Sequence, residues 1–379
     1  MKYNKNFKTI QDIKHLQGVR VLLRLDLNVP IQNGKVVDPF RITKAIPTIS
    51  YLTKRGAKVI ILSHKTEEGG SLAPVAEYLN HNGCKAVFVD AYKNARSHIN
   101  TMVDGGIILL ENLRSNPGEE ENSTSFAKEL ASLGDIYVND AFGVSHRAHA
   151  SVCAITKFIP SYAGLLFADE VQNLATAFDP QRPFVFVLGG AKFDTKLPLI
   201  EKFMKSADHV FVGGALANNF FKEMGYEIGA SMVSPENFNL KRYFKDAKLM
   251  LPVDLVVKRG SENIVIDNKE VQPGDVILDA GPKALADLKK VIFNARYVLW
   301  NGPLGNYEHG YKQPTINLAE MISMSGAMSI VGGGDTLAAI AELGTADKFS
   351  FISTAGGAML DFLANETLPG IDALVESES

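Results

Sequence analysis

Residues 183–196 read PFVFVLGGAKFDTK: a short apolar run rich in β-branched and aromatic residues, a glycine pair, and the start of a segment with helical periodicity. This order predicts a β-strand that turns tightly into a helix, which is the repeating unit of parallel α/β proteins. Glycines at such a turn let backbone N–H groups and a helix N-terminus face an anion. The stretch therefore predicts both a fold class and a place where a ligand could bind.

Similar apolar runs occur on both sides of this stretch, and most are followed by a helical segment. In the first half they are Val19–Leu25, Lys58–Leu62, Ala86–Val89, Ile107–Leu110 and Ile136–Val138. In the second half they are Pro183–Leu188, His209–Val212, Asp254–Val257, Arg296–Trp300, Met328–Val331 and Phe349–Ile352. Continuous apolar strands that alternate with helices predict parallel sheets covered on both faces. We therefore expect an α/β protein with two doubly wound, Rossmann-like domains.

The domain boundary is expected near residues 163–182, which would form a connecting hinge helix between domains at 1–162 and 183–363. Phe167–Phe178 has helical periodicity, and the DPQRP stretch at 179–183 would stop that helix before the next strand. Ile264–Ile266 and Val276–Leu278, separated by Asp-Asn and Pro-Gly turn signals, are expected to form an inserted hairpin.

Composition narrows the function classes. The chain has 379 residues, 46% of them hydrophobic and 21% charged, as in globular proteins with full cores. The isoelectric point near 6.3 and the absence of a Lys/Arg stripe argue against nucleic-acid binding. No apolar run reaches the length of a membrane span, and the first residues are too polar for a secretory signal. The two cysteines cannot form a disulfide framework. We expect a cytoplasmic protein without a membrane partner.

Polar residues gather where first-half strands are predicted to end. Alternation puts Arg24, Asp26 and Asn28 on one face at the end of the first strand. Arg41 follows a turn, and further cationic or titratable residues lie at or after the other strand ends: His64, Arg114 and Arg147. A single arginine at such a place is usually a solvated cap, but several near one sheet edge would form a trap for phosphate or carboxylate groups.

The second half carries three Gly-rich turns after predicted strands: 189–196 with Lys192 and Lys196, GGGDT at 332–336, and TAGGA at 354–358. One such turn is usually a matter of backbone geometry. Three of them, with paired lysines and with Asp335 suited to Mg²⁺, indicate a magnesium nucleotide. There is no GxxxxGK[ST], no GxGxxG after a strand, and none of the protein-kinase, GxSxG or HExxH motifs. The residues alone thus predict a phosphotransferase.

Nine stretches together closely resemble phosphoglycerate kinases, in the order of that family and over essentially the whole chain. They are RLDLNVP, LLENLR, NDAFGVSHRAHAS, LGGAKFDTK, LPVDLVV, DAGPK, LWNGPLGNYE, SIVGGGDTLAAI and ISTAGGAM. The resemblance implies reversible phosphoryl transfer in glycolysis from 1,3-bisphosphoglycerate to ADP, giving 3-phosphoglycerate and ATP. It also implies a monomer whose two halves close about the hinge, with the segment 364–379 packed back on the first domain.

The resemblance also assigns site residues. The 3-phosphoglycerate site would consist of Arg24, Asp26, Leu27, Asn28, Arg41, His64, Arg114 and Arg147. The MgATP or MgADP site would consist of Lys192, Lys196, Gly213, Gly214, Glu308, Gly333, Gly334, Asp335 and Thr336. Glu308 would bind the ribose, and Asp335 would lie near the Mg²⁺ ion. Arg41 and Lys196 would be catalytic, because they would neutralise the phosphoryl group in transit.

The chain departs from the family pattern at two places. The family has SHLGRP, in which the arginine grips the substrate phosphate, but residues 63–70 here read SHKTEEGG, a shorter loop with Glu67 at the arginine position. Either Glu67 faces the phosphate pocket, or, as we favour, it turns outward while Lys65 or the remaining Arg114, Arg147 and His64 hold the phosphate. Ala355 also replaces the first glycine of the family's TGGG turn.

These departures leave two rival interpretations. One is an attenuated nucleotide-binding paralogue with a degraded substrate site. The other is a Rossmann oxidoreductase, which the missing glycine fingerprint disfavours.

Overall fold

The computed structural model describes residues 6–67 and 70–377, which form two compact units. The first unit comprises the described chain up to Ala175 together with the described chain from Asn365 onward. The second unit is Thr176–Ala364. The boundary falls inside the predicted hinge segment 163–182 and leaves the connecting helix with the first unit. The hinge role of that helix stays a prediction.

The first unit contains a six-stranded parallel sheet in the order β5-β6-β4-β1-β7-β8. Its strands are β1 (Arg20–Leu25), β4 (Lys58–Leu62), β5 (Ala86–Val89), β6 (Ile107–Leu110), β7 (Ile136–Asp140) and β8 (Ser161–Ala163). The sequence did not predict the three-residue β8. A separate short antiparallel pair is formed by β2 (Ile31–Gln32) and β3 (Lys35–Val36).

Helices cover both faces of this sheet. They are α1 (Phe40–Thr53), α2 (Ala73–His81), α3 (Ala95–Asn100), α4 (Pro117–Glu120), α5 (Thr124–Ala131) and α6 (Leu165–Ala175). Successive side chains of β1 enter opposite cores: Val21 and Leu23 pack in one, Leu22 in the other. Because a strand sends alternate side chains to opposite faces, a fully apolar strand is what a sheet covered on both faces requires.

The last helix of the chain belongs to the first unit. This helix, α13 (Pro369–Glu376), packs near β8, and Gly370 donates its N–H to the carbonyl of Ser145 at 2.9 Å. A Cβ at Gly370 would lie 2.7 Å from the Ser145 side chain, so the approach leaves room only for glycine. Residues 378–379 of the expected tail segment lie outside the described residues.

The second unit contains another six-stranded parallel sheet, in the order β11-β10-β9-β15-β16-β17. Its strands are β9 (Phe184–Leu188), β10 (His209–Val212), β11 (Leu249–Met250), β15 (Tyr297–Asn301), β16 (Met328–Gly332) and β17 (Phe351–Ile352). Its helices are α7 (Phe193–Ser206), α8 (Ala215–Glu223), α9 (Pro282–Asn294), α10 (Gln313–Ser325), α11 (Gly334–Leu343) and α12 (Gly357–Asn365). The two-residue β11 was not predicted. Two doubly wound parallel sheets confirm the predicted fold class.

A three-stranded antiparallel sheet corrects the predicted hairpin. Its strands are β12 (Asp254–Arg259), β13 (Glu262–Asp267) and β14 (Val276–Ala280), and β12 lies between the other two. The two strands expected to pair with each other therefore both pair with β12, which was expected in the parallel sheet. Only two residues separate β12 from β13, and a parallel pairing needs a crossover of a dozen or more. The reversal uses Gly260, whose φ is +62°.

The connecting helix α6 begins against a buried carboxylate. Asp140, at the end of β7, accepts a hydrogen bond at 2.9 Å from the N–H of Phe167 in the first turn of α6. Burial raises the pKa of Asp140 to about 6, opposed by the hydroxyl of Thr48 and the N–H of Phe167. Gly164 is required beside it, because a Cβ there would lie 2.2 Å from Oδ1 of Asp140.

This pKa predicts how the stability of the first unit depends on pH. A carboxyl with a folded pKa near 6 and an unfolded pKa near 4 destabilises the fold increasingly as pH rises from about 4 to about 7. Asp140→Asn keeps the acceptor for Phe167 and removes the buried charge. Its stability relative to the wild type should rise by about 2 kcal/mol between pH 4.5 and pH 7.5, measured by denaturant unfolding.

The matched control is Asp135, which receives hydrogen bonds from Arg20 that lower its pKa. Asp135→Asn should destabilise the protein at pH 7.5, and the deficit should shrink as pH falls. A pH-independent difference between Asp140→Asn and the wild type would contradict the assignment of a buried, ionising Asp140.

No helix among the described residues combines the length and the apolar character that crossing a membrane requires.

Candidate active site

In the first unit, the predicted site residues follow four strands. Strands β6, β4, β1 and β7 are consecutive neighbours in the sheet and run parallel, so their carboxyl ends lie along one edge. The residues that follow these ends include Asp26 after β1, His64 after β4, Arg114 after β6 and Arg147 after β7. Parallel α/β sheets bind ligands at this edge.

Asp26, Asn28 and Arg41 form one group. Nη1 of Arg41 lies 3.2 Å from Oδ2 of Asp26 and donates to the carbonyl of Asn28 at 3.0 Å. The N–H of Asn28 donates to Oδ1 of Asp26 at 3.3 Å. Arg41 keeps about a third of its side chain exposed, so its guanidinium is held by Asp26 and still faces solvent.

His64 is buried and held in its neutral form. Nη2 of Arg24 lies 3.3 Å from Nδ1 of His64. Burial lowers the pKa of His64 far below its usual value, and the positive charges of Arg24, Arg114 and Arg147 lower it further. Because a guanidinium only donates hydrogen bonds, Nδ1 must accept and the ring proton resides on Nε2. His64 can therefore donate a hydrogen bond through Nε2 without carrying charge.

Arg24 is completely buried, and all three of its nitrogens have partners within the chain. Nε donates to Oγ of Ser151 at 2.7 Å and Nη1 to the carbonyl of Leu25 at 2.5 Å. Ser151 in turn donates its hydroxyl to Glu119 at 2.6 Å. Glu119 is also buried and lies 3.8 Å from Arg24, so the two charges compensate each other inside the core. Arg24 reaches the sheet edge only through His64.

Leu27 is also buried, and its backbone is engaged. Its N–H donates to Oγ of Ser63 at 3.0 Å, and its carbonyl accepts from Val29 at 2.9 Å. These two hydrogen bonds restrain the backbone of Leu27 between Asp26 and Asn28.

Arg114 and Arg147 differ in exposure. Arg114 is mostly buried, with Nε 3.0 Å from Oε1 of Glu120, and burial lowers its pKa although Glu120 opposes that effect. Arg147 is exposed and donates from Nε to Nε2 of His146 at 3.3 Å. The positive charge of Arg147 acts on both His64 and Arg114. This concentration of cations around a neutral imidazole suits an anionic ligand.

In the loop that departs from the family pattern, the charged residues Lys65 and Glu67 differ in exposure. Lys65 is buried and donates from Nζ to the carbonyl of Val29 at 2.7 Å. Glu67 has 65% of its side chain exposed, with Oε2 3.8 Å from the Lys65 ammonium. Thr66 lies between them, and its hydroxyl accepts from Nδ2 of Asn28 at 2.8 Å. Glu68 and Gly69 lie outside the described residues.

In the second unit, the predicted residues follow four neighbouring strands, β10, β9, β15 and β16. Lys192 and Lys196 follow β9, Gly213 and Gly214 follow β10, Glu308 follows β15, and Gly333–Thr336 follow β16. The strand order reverses between β9 and β15, and such a switch point forms the ligand crevice in open α/β sheets.

Lys196 is the most buried cation of this group. Its Nζ donates to the carbonyl of Gly189 at 2.5 Å, directly under the Gly-rich turn. Burial lowers the pKa of Lys196 to about 8, with Lys192 acting in the same direction and Asp335 in the opposite one. Gly190 has a φ of +98°, a backbone conformation that favours glycine, and a Cβ there would lie 2.7 Å from Nζ.

Asp335 lies in the first turn of α11, within electrostatic range of Lys196. Burial raises the pKa of Asp335, the negative charge of Glu308 raises it further, and Lys196 lowers it. Glu308 is exposed, whereas Thr336 is buried and accepts from the N–H of Gly302 at 3.0 Å. Asp335 is thus a partly buried carboxylate at a helix N-terminus.

The glycines after β10 form a close contact with the first Gly-rich turn. Gly214 has a φ of +61°, and a Cβ on it would lie 2.8 Å from the N–H nitrogen of Gly190. Gly213 donates its N–H to the carbonyl of Leu188 at 2.9 Å. The turn after β10 and the Gly-rich turn after β9 are therefore in close backbone contact. Their peptide groups lie near one another.

The described residues hold no cluster of three or more histidine, cysteine, aspartate or glutamate side chains that could bind a metal ion. Mg²⁺ that arrives with a nucleotide takes most of its ligands from phosphates and water and needs one or two carboxylates. Asp335 fits that limited role.

Each half of the predicted residue set is brought together within its own unit. Sequence reasoning missed Glu119, Ser151 and Thr66. Ser151 lies within the quoted HRAHAS motif, but nothing local indicates that it links Arg24 to Glu119. Thr66 is a neutral residue of the altered loop, and nothing local indicates that it links Asn28 to Arg114.

Comparison with known proteins agrees with this arrangement. The family model for phosphoglycerate kinase matches residues 10–366. A phosphoglycerate kinase from Clostridium kluyveri is 40% identical over 398 residues, with 99% of both chains covered. One from Dictyoglomus turgidum is 41% identical over 390 residues, covering 97% of this chain and 98% of the relative.

A solved structure is similar over the same length. It is a phosphoglycerate kinase from Coxiella burnetii, with a TM-score of 0.85, 38% sequence identity, and coverage of 98% of this chain and 99% of that chain. Sequence and structure thus agree over nearly all of the chain, and we conclude that the chain belongs to the phosphoglycerate kinase family.

Proposed function

We propose that the first unit binds 3-phosphoglycerate and the second unit binds MgATP or MgADP during phosphoryl transfer to and from a carboxyl group. The observation that carries this division is Lys196, a buried ammonium held on the carbonyl of a Gly-rich turn and in range of Asp335. Gly-rich turns, a lysine and one carboxylate suit a magnesium polyphosphate. The cationic edge of the first unit suits a smaller anion. No observation favours an attenuated paralogue.

In the first unit, the substrate would be held by Asp26, Asn28, Arg41, His64, Arg114 and Arg147. His64 would donate from Nε2, because Arg24 occupies Nδ1. Arg24 would therefore position His64 instead of touching the substrate, and Leu27 would keep the backbone in place.

In the second unit, the nucleotide would be held by Lys192, Lys196, Gly213, Gly214, Glu308, Gly333, Gly334, Asp335 and Thr336. Glu308 is exposed and free to reach a ribose hydroxyl, while Asp335 would bind the Mg²⁺ of the nucleotide, directly or through water. When bound, Mg²⁺ would offset the negative charge of the phosphates.

Transfer itself needs positioning and charge neutralisation more than covalent help. Arg41 and Lys196 would neutralise the phosphoryl group as it moves. Arg41 is restrained by Asp26, and Lys196 by the Gly189 carbonyl, so both are oriented before substrates bind. Action as a monomer is part of the proposal, and a cytoplasmic location stays a prediction.

A coupled assay with 3-phosphoglycerate and MgATP tests the proposal, and Lys196 gives it a signature. Lys196→Ala should lower kcat by a hundredfold or more while changing nucleotide affinity less, because the lysine acts where charge develops. In the wild type, kcat/KM for MgATP should fall as pH rises through about 8, since Lys196 loses its proton there.

The control is Lys196→Arg, which stays protonated over that range. Its kcat/KM should be lower but should lack the decline near pH 8. A near-normal kcat in Lys196→Ala would remove this residue from the mechanism, and absence of turnover in the wild type would refute the proposed function.

The metal role of Asp335 is tested by magnesium titration at saturating nucleotide. Asp335→Ala should raise the free Mg²⁺ needed for half-maximal rate by about tenfold, because a carboxylate ligand is lost. Asp347→Asn, an exposed acidic change on the same unit, should leave that value unchanged. An identical magnesium dependence in wild type and Asp335→Ala would show that Asp335 does not serve the metal.

The exposure of the Glu67 side chain predicts a small effect of its charge on substrate binding. Glu67→Gln should change the KM for 3-phosphoglycerate by no more than about twofold, as expected for an exposed charge. A fall of about tenfold in KM would mean that the carboxylate repels the substrate from within the pocket.

A further inference from the structure

Thr66 stands at the centre of the altered loop and joins two predicted substrate residues. Its hydroxyl oxygen accepts hydrogen bonds from Nδ2 of Asn28 at 2.8 Å and from Nη1 of Arg114 at 3.3 Å. Its own N–H lies 3.4 Å from Oδ1 of Asn28, so backbone and side chain are tied to the same residue. The family motif SHLGRP has glycine here and offers no hydroxyl.

The two hydrogen bonds to the Thr66 hydroxyl use only its capacity to accept, and its proton remains available to donate. A threonine hydroxyl has two lone pairs and one proton, and both neighbours are donor groups that take the lone pairs. The proton is therefore left to donate outward. Because one of its partners is a guanidinium, the O–H bond is polarised and becomes a better donor toward an anion. The Thr66 side chain is exposed, so an incoming ligand can reach it.

The surroundings of Thr66 supply donors more than acceptors. Nη2 of Arg114 is buried and has no hydrogen-bond acceptor among the described residues, so the guanidinium retains capacity for an anion. The exposed Glu67 carboxylate lies 3.8 Å from the Lys65 ammonium, and Lys65 has no acceptor group, so the contacts of the described residues leave the Thr66 proton without an acceptor.

The loop is anchored just before this residue. The N–H of Lys65 donates to Oδ1 of Asn112 at 3.0 Å, and Nδ2 of Asn112 donates back to the carbonyl of Lys65 at 3.2 Å. A donor held on a fixed backbone loses little entropy when a ligand binds.

We propose that Thr66 is a substrate-binding residue whose hydroxyl donates to the same substrate oxyanion that Arg114 binds. It supplies a neutral donor in a loop that lacks the family's arginine. The inference rests on the proposed binding of 3-phosphoglycerate in the first unit, and extends that site by one residue.

The test compares variants that differ in the hydroxyl alone. Thr66→Val keeps the size and removes the donor, and it should raise both the KM and the calorimetric Kd for 3-phosphoglycerate about tenfold or more, as for loss of a hydrogen bond to a charged group. The kcat and the KM for MgATP should change by less than about threefold. Thr66→Ser retains the hydroxyl and should stay within about threefold of the wild type throughout.

Thr101→Val provides the matched control, because Thr101 is an exposed threonine of the same unit whose hydroxyl bonds only within its own helix turn. It should not change 3-phosphoglycerate binding. Thermal unfolding of each variant checks the fold, and Thr66→Ala replaces Thr66→Val if the latter is destabilised.

The outcomes separate this inference from the function on which it rests. Wild-type affinity in Thr66→Val, or an equal loss in Thr66→Ser, would overturn the role of the hydroxyl while the proposed function stands. Failure of the wild type to bind 3-phosphoglycerate in the calorimeter would overturn both. Weakened binding of MgATP in Thr66→Val to the same degree would also overturn the inference, because the effect would not be specific to the anion in the first unit.

Discussion

The structure depends on one constraint: a parallel sheet covered on both faces has space for ligands only beyond the ends of its strands. The central strands of both parallel sheets are mostly apolar and buried, and polar side chains occur where these strands stop. Neighbouring parallel strands end at one edge, so residues far apart in sequence are brought together there. Arg114 follows β6 and His64 follows β4, and the two become neighbours for this reason alone.

The two units use that edge differently. The first unit surrounds a neutral His64 with guanidinium groups, and it balances the innermost of them, Arg24, with the buried Glu119. A buried ion pair of this kind is costly to break and adds little net stability, but it orients its partners. In the first unit, the pair orients Arg24, and Arg24 in turn fixes the tautomer of the His64 imidazole.

The second unit relies on backbone more than on side chains. Gly190 and Gly214 have positive φ angles and lie so close to their neighbours that a Cβ would collide. The space they leave is filled by the Lys196 ammonium and by peptide groups. Backbone amides and a single lysine are suited to a polyphosphate, whereas guanidinium forks are suited to a smaller oxyanion. The division of labour between the units follows from these two chemistries.

The sequence by itself determined the strands, the Gly-rich turns and the family, because apolar runs, glycines at turns and ordered motifs are local signals. Four very short strands, β2, β3, β8 and β11, carry too few residues to produce such a signal. The pairing of β12 with both β13 and β14 was decided only by tertiary structure, since an apolar run does not specify its partner. The same holds for the site. Arg24 was correctly placed at a strand end, but its burial depends on Ser151 and Glu119, which are distant in sequence. Thr66 acquires its hydrogen-bond partners in the same way, from residues 38 and 48 positions away, and no local pattern encodes contacts of that range.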